Sequence, residues 1–596
     1  MCRIAGIINP SLSVSSLENI VEQMCALLKH GGPDDGGIFT AANEHLVLGN
    51  RRLSLLDLTS AGHQPMQYDE RYTITFNGEL YNFKELKKEL QVLGLQFNTG
   101  TDTEVILAAF ATWNTQSFSK FNGMFAFSLW DNEEKMLYLV RDAAGIKPLY
   151  YSTHLNGLAF ASEIRAFKPI PYLQEKFEKA SVYQLAYGFI PEPITSLKYV
   201  SSLPKGCFLT YNVKNQTSSL QSFSFFSFSN KIKNEEVAKQ KIFSSLENAV
   251  QRQMVADARV GMFLSGGIDS SILANLAANK IQKNLHTLSI YFDEENYSEK
   301  KYQDIVVKKL NSNHHSYLLK EADFHKSFPA IIDAMDMSSC DGINTWFISK
   351  YAAAEGLKAV LSGVGADELF GGYPSFNRIG KALLLQKLPK ASLQVLGLDM
   401  NKKLSRLSYL NIEGIRGVYL FLRGHFTPTQ IAAQLGAYEK DIWQTLETFP
   451  ASPVLNNITT KNKASWMEFN MYMQDQLLRD ADVMSMAHGV EIRVPFLDNE
   501  IIRPAFSIAE NIKYKGTLPK QLLIDSFEAI LPREIWDRPK MGFSFPFAEW
   551  LRNSTYVKEL QKSNNLNTKR MVNEFLDGKL HWSRIMSLIV LNFRHP

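Results

Sequence analysis

From residue 2 to about residue 212, the chain shows alternating positions or short apolar runs, broken by Gly, Asn and Pro. A period of two belongs to strands with one face buried. The pattern predicts strands over 3–8, 46–48, 72–76, 124–130, 136–140 and 158–161. Spacings of three and four, the helical signature, enter only over 17–28, 84–93 and 103–111. This segment reads as a mixed unit of sheets and helices.

Between 213 and 234 the composition turns Ser/Asn-rich and includes S-F-S-F-F-S-F-S, a linking strand and loop in which residues 223–228 predict a half-buried strand. From 235 onward, long helical stretches alternate with short buried strands over 260–264, 285–291 and 358–361. Strands separated by helices imply parallel βαβ units in a doubly wound sheet. After Tyr373 the pattern is almost wholly helical, through Phe421 and over 466–486, 520–530 and 580–593. The expected organisation is one domain over 2–212, a linker over 213–234 and a second domain over 235–596, without repeats at solenoid periods.

The chain has 596 residues, 45% hydrophobic and 21% charged, ordinary globular values that exclude a disordered or fibrous protein. A net charge of +4 is too small at this length to announce a nucleic-acid or membrane surface. No apolar run nears the roughly 18 residues of a membrane span. The early run I-A-G-I-I is too short for a secretory signal core, so a cytoplasmic setting is expected. Cys2, Cys25, Cys207 and Cys340 are too few and too scattered for a disulfide framework or zinc spacing. His314 and His315 point to opposite faces of a strand and lack a third ligand, so they read as structural. Lys231, Lys233, Lys239 and Lys241 read as a solvated helix start, and the methionines of 466–486 as core.

Two loops carry candidate chemistry. In V-G-M-F-L-S-G-G-I-D-S-S, residues 260–271, a buried strand meets a Ser-Gly-Gly turn and then a helix. The glycines let N–H groups face outward, and Ser265, Ser270 and Ser271 add hydroxyls where a helix N-terminus already favours an anion, which suits a pyrophosphate. The G-x-x-x-x-G-K-[ST] spacing of γ-phosphate transfer is absent. Asp269 beside phosphates makes sense as a ligand of Mg²⁺ bridging carboxylate and phosphate. The second loop, L-S-G-V-G-A-D-E-L-F-G-G-Y over 361–373, also follows a short strand and carries Asp367 and Glu368. Two such turns would meet in the crevice at the C-terminal ends of parallel strands.

Cys2 follows the initiator methionine directly, so its removal would leave a thiol and a free α-amine on one residue. An amine with a reference pKa of about 7.7–8.0 can serve as base for its own thiol, of pKa about 8.5. The turn F-N-G-E at 76–79 offers an amide donor and an exposed Gly N–H, the parts of an oxyanion hole. Arg52 in R-R-L-S-L-L-D could clamp a carboxylate, and Asp102 in G-T-D-T-E could bind an ammonium group. Together they describe a pocket for a free amino acid bearing an amide to be cleaved.

With these motifs in this order, the chain resembles the glutamine-hydrolysing asparagine synthetase family along essentially its whole length. The matching signatures are M-C-x-I-x-G, R-L-S-L-L-D, F-N-G-E-L-Y-N at 76–82, N-G-M-F-A-F at 122–127 and G-I-K-P-L-Y-Y at 145–151. In the second half they are S-G-G-I-D-S at 265–270, G-A-D-E-L-F-G-G-Y at 365–373, E-I-R-V-P-F-L-D at 491–498 and R-P-K-M-G-F at 538–543. The resemblance implies an α/β multidomain fold: a class II glutamine amidotransferase domain, an αββα sandwich of the N-terminal-nucleophile hydrolase type, followed by a doubly wound PP-loop ATP pyrophosphatase domain with a helical C-terminal part.

It also implies roles. Cys2 attacks the glutamine amide, Asn77 and Gly78 stabilise the oxyanion, and Arg52, Asn77, Glu79 and Asp102 hold the glutamine. Leu264, Ser265, Gly266, Gly267, Asp269, Ser270, Ser271, Ile290, Ser362 and Gly363 bind ATP, with Asp269 and Asp367 holding Mg²⁺. Lys540 stabilises charge on an adenylated intermediate. Asp341, Val364, Asp367 and Glu368 face the acceptor, and Met124 lines an apolar passage for ammonia. The implied reaction adenylates a carboxylate, lets ammonia attack, and releases amide, AMP and pyrophosphate. The implied partners are small molecules (glutamine, ATP, a carboxylate acceptor), with no nucleic acid, no membrane and a homodimeric assembly.

Three departures from the family pattern stand out. Gly31 in H-G-G-P-D takes the place of an arginine, Val364 in S-G-V-G that of a glutamate, and M-S-S-C-D-G-I-N-T at 337–345 differs from the usual D-x-x-x-x-x-I-P-T. The last two fall where the acceptor is chosen. Asparagine synthesis is the first expectation. Amidation of another carboxylate, a sugar acid or a natural-product or polysaccharide precursor, is the alternative, and a catalytically silent scaffold the third.

Overall fold

The computed structural model describes residues 2–281, 285–310, 312–390, 393, 405–450, 455–539, 541–542 and 545–593. Twelve strands form its N-terminal part: β1 Cys2–Ile8, β2 Asp35–Ala41, β3 Leu46–Arg52, β4 Met66–Tyr68, β5 Tyr72–Leu80, β6 Gly123–Asp131, β7 Met136–Arg141, β8 Tyr150–Ser152, β9 Leu158–Ala161, β10 Ser201–Ser202, β11 Cys207–Asn212 and β12 Thr217–Ser222. They make two six-stranded sheets, ordered β10-β8-β9-β1-β3-β2 and β12-β11-β7-β6-β5-β4, and every pairing within them is antiparallel.

The alternation of side chains along each strand decides what lies between and outside the sheets. Ile4 and Ile8 of β1 and Leu46 and Leu48 of β3 face Ala126, Trp130, Leu137 and Leu139 of the other sheet. The odd positions Ala5 and Ile7 pack outward on Leu17, Val21 and Met24 of helix α1, Val14–Leu27. Ile74, Phe76 and Phe127 pack on helices α2, Phe83–Val92, and α3, Asp102–Trp113. The result is the αββα sandwich.

The C-terminal sheet is parallel, ordered β15-β14-β13-β16-β17, with β13 Val260–Phe263, β14 His286–Tyr291, β15 Asn313–Leu318, β16 Ala359–Leu361 and β17 Glu491–Arg493. Strand order runs outward in one direction from β13 and in the other from β16. The switch between them opens a crevice at their C-terminal ends. A long helix, Thr460–Met467, Glu468–Leu478 and Arg479–Met486 with a π-helical middle, crosses from this sheet to the sandwich.

Several elements differ from the pattern-based expectation. β2 reads D-G-G-I-F-T-A, and its two glycines hide the alternation. β12 lies in the Ser/Asn-rich stretch and pairs with β11 although all six of its residues are exposed, so backbone pairing rather than burial makes it a strand. Residues 223–228 form no strand and pair in no sheet; they are partly buried in alternation, with Phe226 and Phe228 on Phe506. β17 interrupts the stretch after Tyr373 that reads as helical; three residues are too few to set a period.

Buried polar contacts join the two parts. Asp498 Oδ1 accepts from Asn122 Nδ2 at 2.9 Å, from Arg252 at 3.0 Å and from the Glu500 N–H at 2.9 Å, so one carboxylate caps a helix and ties the sandwich to it. Asp498→Ala is expected to lower the thermal midpoint by several degrees. A lost cap costs about 1 kcal/mol, and stripping the carboxylate from a half-buried arginine adds about as much again. Scanning calorimetry checks this; Asp498→Asn should lose less, and a midpoint within about 1 °C of the parent would refute the assignment.

Candidate active sites

Cys2 begins β1, directly opposite Arg52 at the end of β3. It is buried, and burial pushes its thiol upward, offset in part by the Leu53 N–H and the Arg52 guanidinium while Glu79 adds to the rise. Arg52 donates to three backbone carbonyls, those of Thr59 at 3.1 Å, Leu56 at 3.1 Å and Asp57 at 2.6 Å, and so shapes the loop that follows β3.

On β5, Asn77 and Glu79 share the face turned away from the α2–α3 layer, because Phe76 and Leu80 take the other. The Asn77 side chain is fully buried, and neither its oxygen nor its nitrogen has a hydrogen-bond partner. Such a group is expensive unless a ligand completes it. Gly78 has φ +151°, and a Cβ there would lie 2.1 Å from the Met124 carbonyl oxygen, so no side chain fits. Asp102 starts α3 and accepts from the Leu80 N–H at 2.7 Å; burial pushes its carboxyl up to about 6. Glu79, also raised by burial, faces Arg493 of β17 at 3.6 Å, and Arg493 holds Glu491 at 2.6 Å. Met124, on the strand beside Gly78, packs into the apolar cluster of the C-terminal part.

The second site lies in the crevice. The turn after β13 leads through Ser265, Gly266 and Gly267 into the helix Ile268–Ile281, with the Ser265 and Ser270 hydroxyls 3.0 Å apart and Ser265 Oγ accepting from the Gly267 N–H at 3.2 Å. The turn after β16, Ser362 to Gly365, leads into the helix Ala366–Phe370. The two turns touch: a Cβ on Gly363 would lie 2.8 Å from Asp269 Cβ. A cavity of about 860 Å³ opens between them. Its walls include Leu264, Ser265, Asp269, Ser270, Ile290, Ser362, Gly363, Val364, Asp341, Asp367 and Glu368, whereas Gly266, Gly267 and Ser271 do not line it. Lys540 lies outside the described residues.

Lys520 was not singled out by the sequence, yet it occupies the centre. Its buried Nζ lies 2.7 Å from Asp269 and 2.8 Å from Asp367, which hold its pKa above the usual lysine range. The sequence offered one signal, a lone lysine in L-P-K-Q-L-L with no motif around it. Arg538, the first residue of the R-P-K-M-G-F signature, was given no role by the sequence. Its guanidinium lies over the Tyr302 ring at 3.7 Å and donates to the Gly266 carbonyl at 3.0 Å and to Glu299 at 2.8 Å, bracing the first turn from outside. At the far end of the cavity Tyr373 donates to Glu368 at 2.8 Å, and burial next to Asp367 pushes Glu368 up to about 7. Asp480, accepting from Ser339 at 2.5 Å, is likewise pushed up to about 7 by burial.

His314 and His315 do face apart, the first bonded to Thr287 Oγ1 at 2.9 Å, the second 3.1 Å from Glu355 and 3.4 Å from His286. Among the described residues no three His, Cys, Asp or Glu side chains form a metal site.

Comparison with known proteins matches residues 241–590 to the asparagine synthase family and residues 1–224 to the glutamine amidotransferase domain. The chain is 32% identical over 572 residues to asparagine synthetase [glutamine-hydrolyzing] 1 of Bacillus subtilis (strain 168), covering 93% of this chain and 88% of that one. It is 24% identical over 629 residues to amidase chry2 of Gibberella zeae, covering 92% and 90%. Among solved structures, the glutamine phosphoribosylpyrophosphate amidotransferase of B. subtilis with ADP and GMP is 15% identical at a TM-score of 0.30, covering 53% of this chain and 81% of that one.

A carboxyl whose folded pKa is raised binds its proton more tightly when folded, so its penalty begins as pH rises past the unfolded value near 4.3 and is complete above the folded value. For Glu368 that window runs from about 4.3 to about 7. Glu368→Gln should therefore gain stability over the parent as pH rises from 5 to 8, by roughly 1–3 kcal/mol. Denaturation at both pH values measures it, and a difference that does not change with pH would contradict the assignment.

Proposed function

As the chain belongs to the asparagine synthase family and carries a glutamine amidotransferase domain, we propose that it takes ammonia from glutamine and transfers it to a carboxylate activated by ATP, with aspartate as the leading acceptor. The observation that carries this is the pair of prepared centres in one chain. One has a buried N-terminal-proximal thiol within reach of the Glu79 charge, and two residues before Glu79 on the same face of β5 an asparagine whose buried polar atoms lack partners. The other has two carboxylates closed on one ammonium where two glycine turns meet.

At the first centre, with Met1 removed, the Cys2 amine takes the thiol proton and sulfur attacks the glutamine amide carbon. Asn77 Nδ2 and the Gly78 N–H stabilise the oxyanion. Ammonia leaves, and water then releases glutamate from the thioester. Arg52 serves the glutamine carboxylate, and Glu79 and Asp102 its ammonium group. The buried environment of Met124 suits passage of neutral ammonia, since an apolar path disfavours ammonium.

At the second centre the acceptor carboxylate attacks the α-phosphorus of ATP and pyrophosphate leaves, forming an acyl-adenylate. Ammonia attacks the acyl carbon, and AMP departs with the electrons of the broken C–O bond. The turn N–H groups and Ser265 and Ser270 cradle the phosphates, and Lys520 offsets their charge. Asp269 and Asp367 suit Mg²⁺: hard oxygen donors converge on one cationic point, and phosphate oxygens would complete the shell. Mg²⁺ held there would neutralise the polyphosphate. Lys540 is assigned to the intermediate through the family motif alone. Exclusion of water keeps the adenylate from hydrolysis.

A second reading, another carboxylate as acceptor, is favoured by one observation: Val364 presents an apolar side chain in the cavity wall between Gly363 and Gly365. A panel of carboxylic acids with ammonia supplied, scored by pyrophosphate release, decides. Release with aspartate at a rate at least about tenfold over the no-acceptor control supports asparagine synthesis; release only with another acid shifts the function to that acid. Cys2→Ala should abolish glutamine-dependent product while sparing the ammonia-dependent rate. Equal loss of both would sink the two-centre scheme.

A further inference from the structure

The residue after the nucleophile has no place in the chemistry above. Arg3 is completely buried. It lies on the odd face of β1, where Ala5 and Ile7 pack beneath helix α1, but at the end of the strand it meets charges from both halves of the chain. Its Nε donates to Glu163 Oε1 at 2.8 Å, and its Nη1 pairs with Asp482 Oδ2 at 2.8 Å. Glu163 follows β9 in the sandwich, whereas Asp482 stands on the helix Arg479–Met486. Glu163 also receives His30 at 2.9 Å and Arg165 at 2.9 Å, and Asp482 receives Lys147 at 3.2 Å.

Gly31 explains itself here. A Cβ on it would lie 2.8 Å from both Cγ and Nε of Arg3, and 3.2 Å from the Met486 methyl. The Arg3 side chain crosses the space in which a side chain at 31 would start, so the arginine that the family pattern has at 31 is absent while a guanidinium arrives from β1 instead.

The same helix holds both neighbours of the nucleophile. Asp482 holds Arg3, and Met486 packs on Leu53, whose N–H hydrogen-bonds the Cys2 sulfur. Its other side is the cavity wall, through Asp480 and Ala481. One rigid element thus joins the cavity wall to the two residues that flank and bond Cys2. A buried arginine fork can bridge two carboxylates at fixed geometry, which a lysine cannot.

We propose that Arg3, through Asp482, is a positioning residue that couples glutamine hydrolysis to the state of the acceptor cavity. This rests on the two-centre reading above. The experiment measures glutamate and pyrophosphate released per turnover by the parent, Arg3→Lys and Asp482→Asn, with glutamine or ammonia as nitrogen source. The expected result is that both variants keep the ammonia-dependent rate within about twofold, while glutamate per pyrophosphate rises about threefold or more. An unchanged ratio overturns the proposal. A rise in only one variant overturns the pairing, and parallel loss of both rates shows a merely structural contact and overturns it too. A parent protein that releases no glutamate from glutamine, or no pyrophosphate with any carboxylate, refutes the two-centre reading itself before the variants are compared.

Discussion

Titratable and charged side chains buried between the two halves are the constraint on which the remaining architecture depends. Arg3, Lys147 and Glu79 from the sandwich meet Asp482 and Arg493 from the C-terminal part with almost no solvent access. Removing one partner from such a set leaves an uncompensated charge in a poor dielectric, which is far worse than the pair is good. The halves are therefore held at one spacing and one orientation. That fixed register lets Met124, on a sandwich strand, belong to the C-terminal apolar cluster.

The long 460–486 helix turns this register into an arrangement of sites. It contributes Tyr472, Leu477, Asp480 and Ala481 to the wall of the cavity, and Gln474, Arg479 and Asp482 to sandwich partners. A π-helical middle shifts the angular phase of side chains along it. Buried carboxylates line the same cavity, where Glu368 and Asp480 are both pushed up to about 7. Stability is given up there: these groups ionise reluctantly, and such strain concentrates where chemistry needs groups that exchange protons near neutrality.

The comparison of pattern with structure follows the same physics. Strands buried on both faces between a helical layer and the other sheet, such as β1, β6 and β7, announce themselves as short, nearly continuous apolar runs. β2 and β12 do not, since two glycines interrupt the pattern of one, although its Phe39 and Ala41 pack on the inter-sheet cluster, and full exposure leaves the other to backbone pairing. β17 is three residues long, yet it carries Arg493, which reaches across to Glu79.

Local order was legible wherever chemistry needs residues close in sequence. Cys2 after the methionine, the Asn77–Gly78 pair, the Ser-Gly-Gly turn and the Asp367–Glu368 step are contiguous, because a backbone cradle or an oxyanion hole is built from neighbouring N–H groups. Lys520, Arg538, Arg493 and Arg3 could not be read this way. Each acts on distant groups, from 153 positions away for Lys520 on Asp367 to 479 for Arg3 on Asp482, and a long charged side chain declares its partner only after packing has brought the two together and removed the water between them. The sequence alone determined the two kinds of fold and the turns that cradle ligands; the tertiary structure decided which charges neutralise which, since Coulomb attraction in a buried site depends on distance in space and not on distance along the chain.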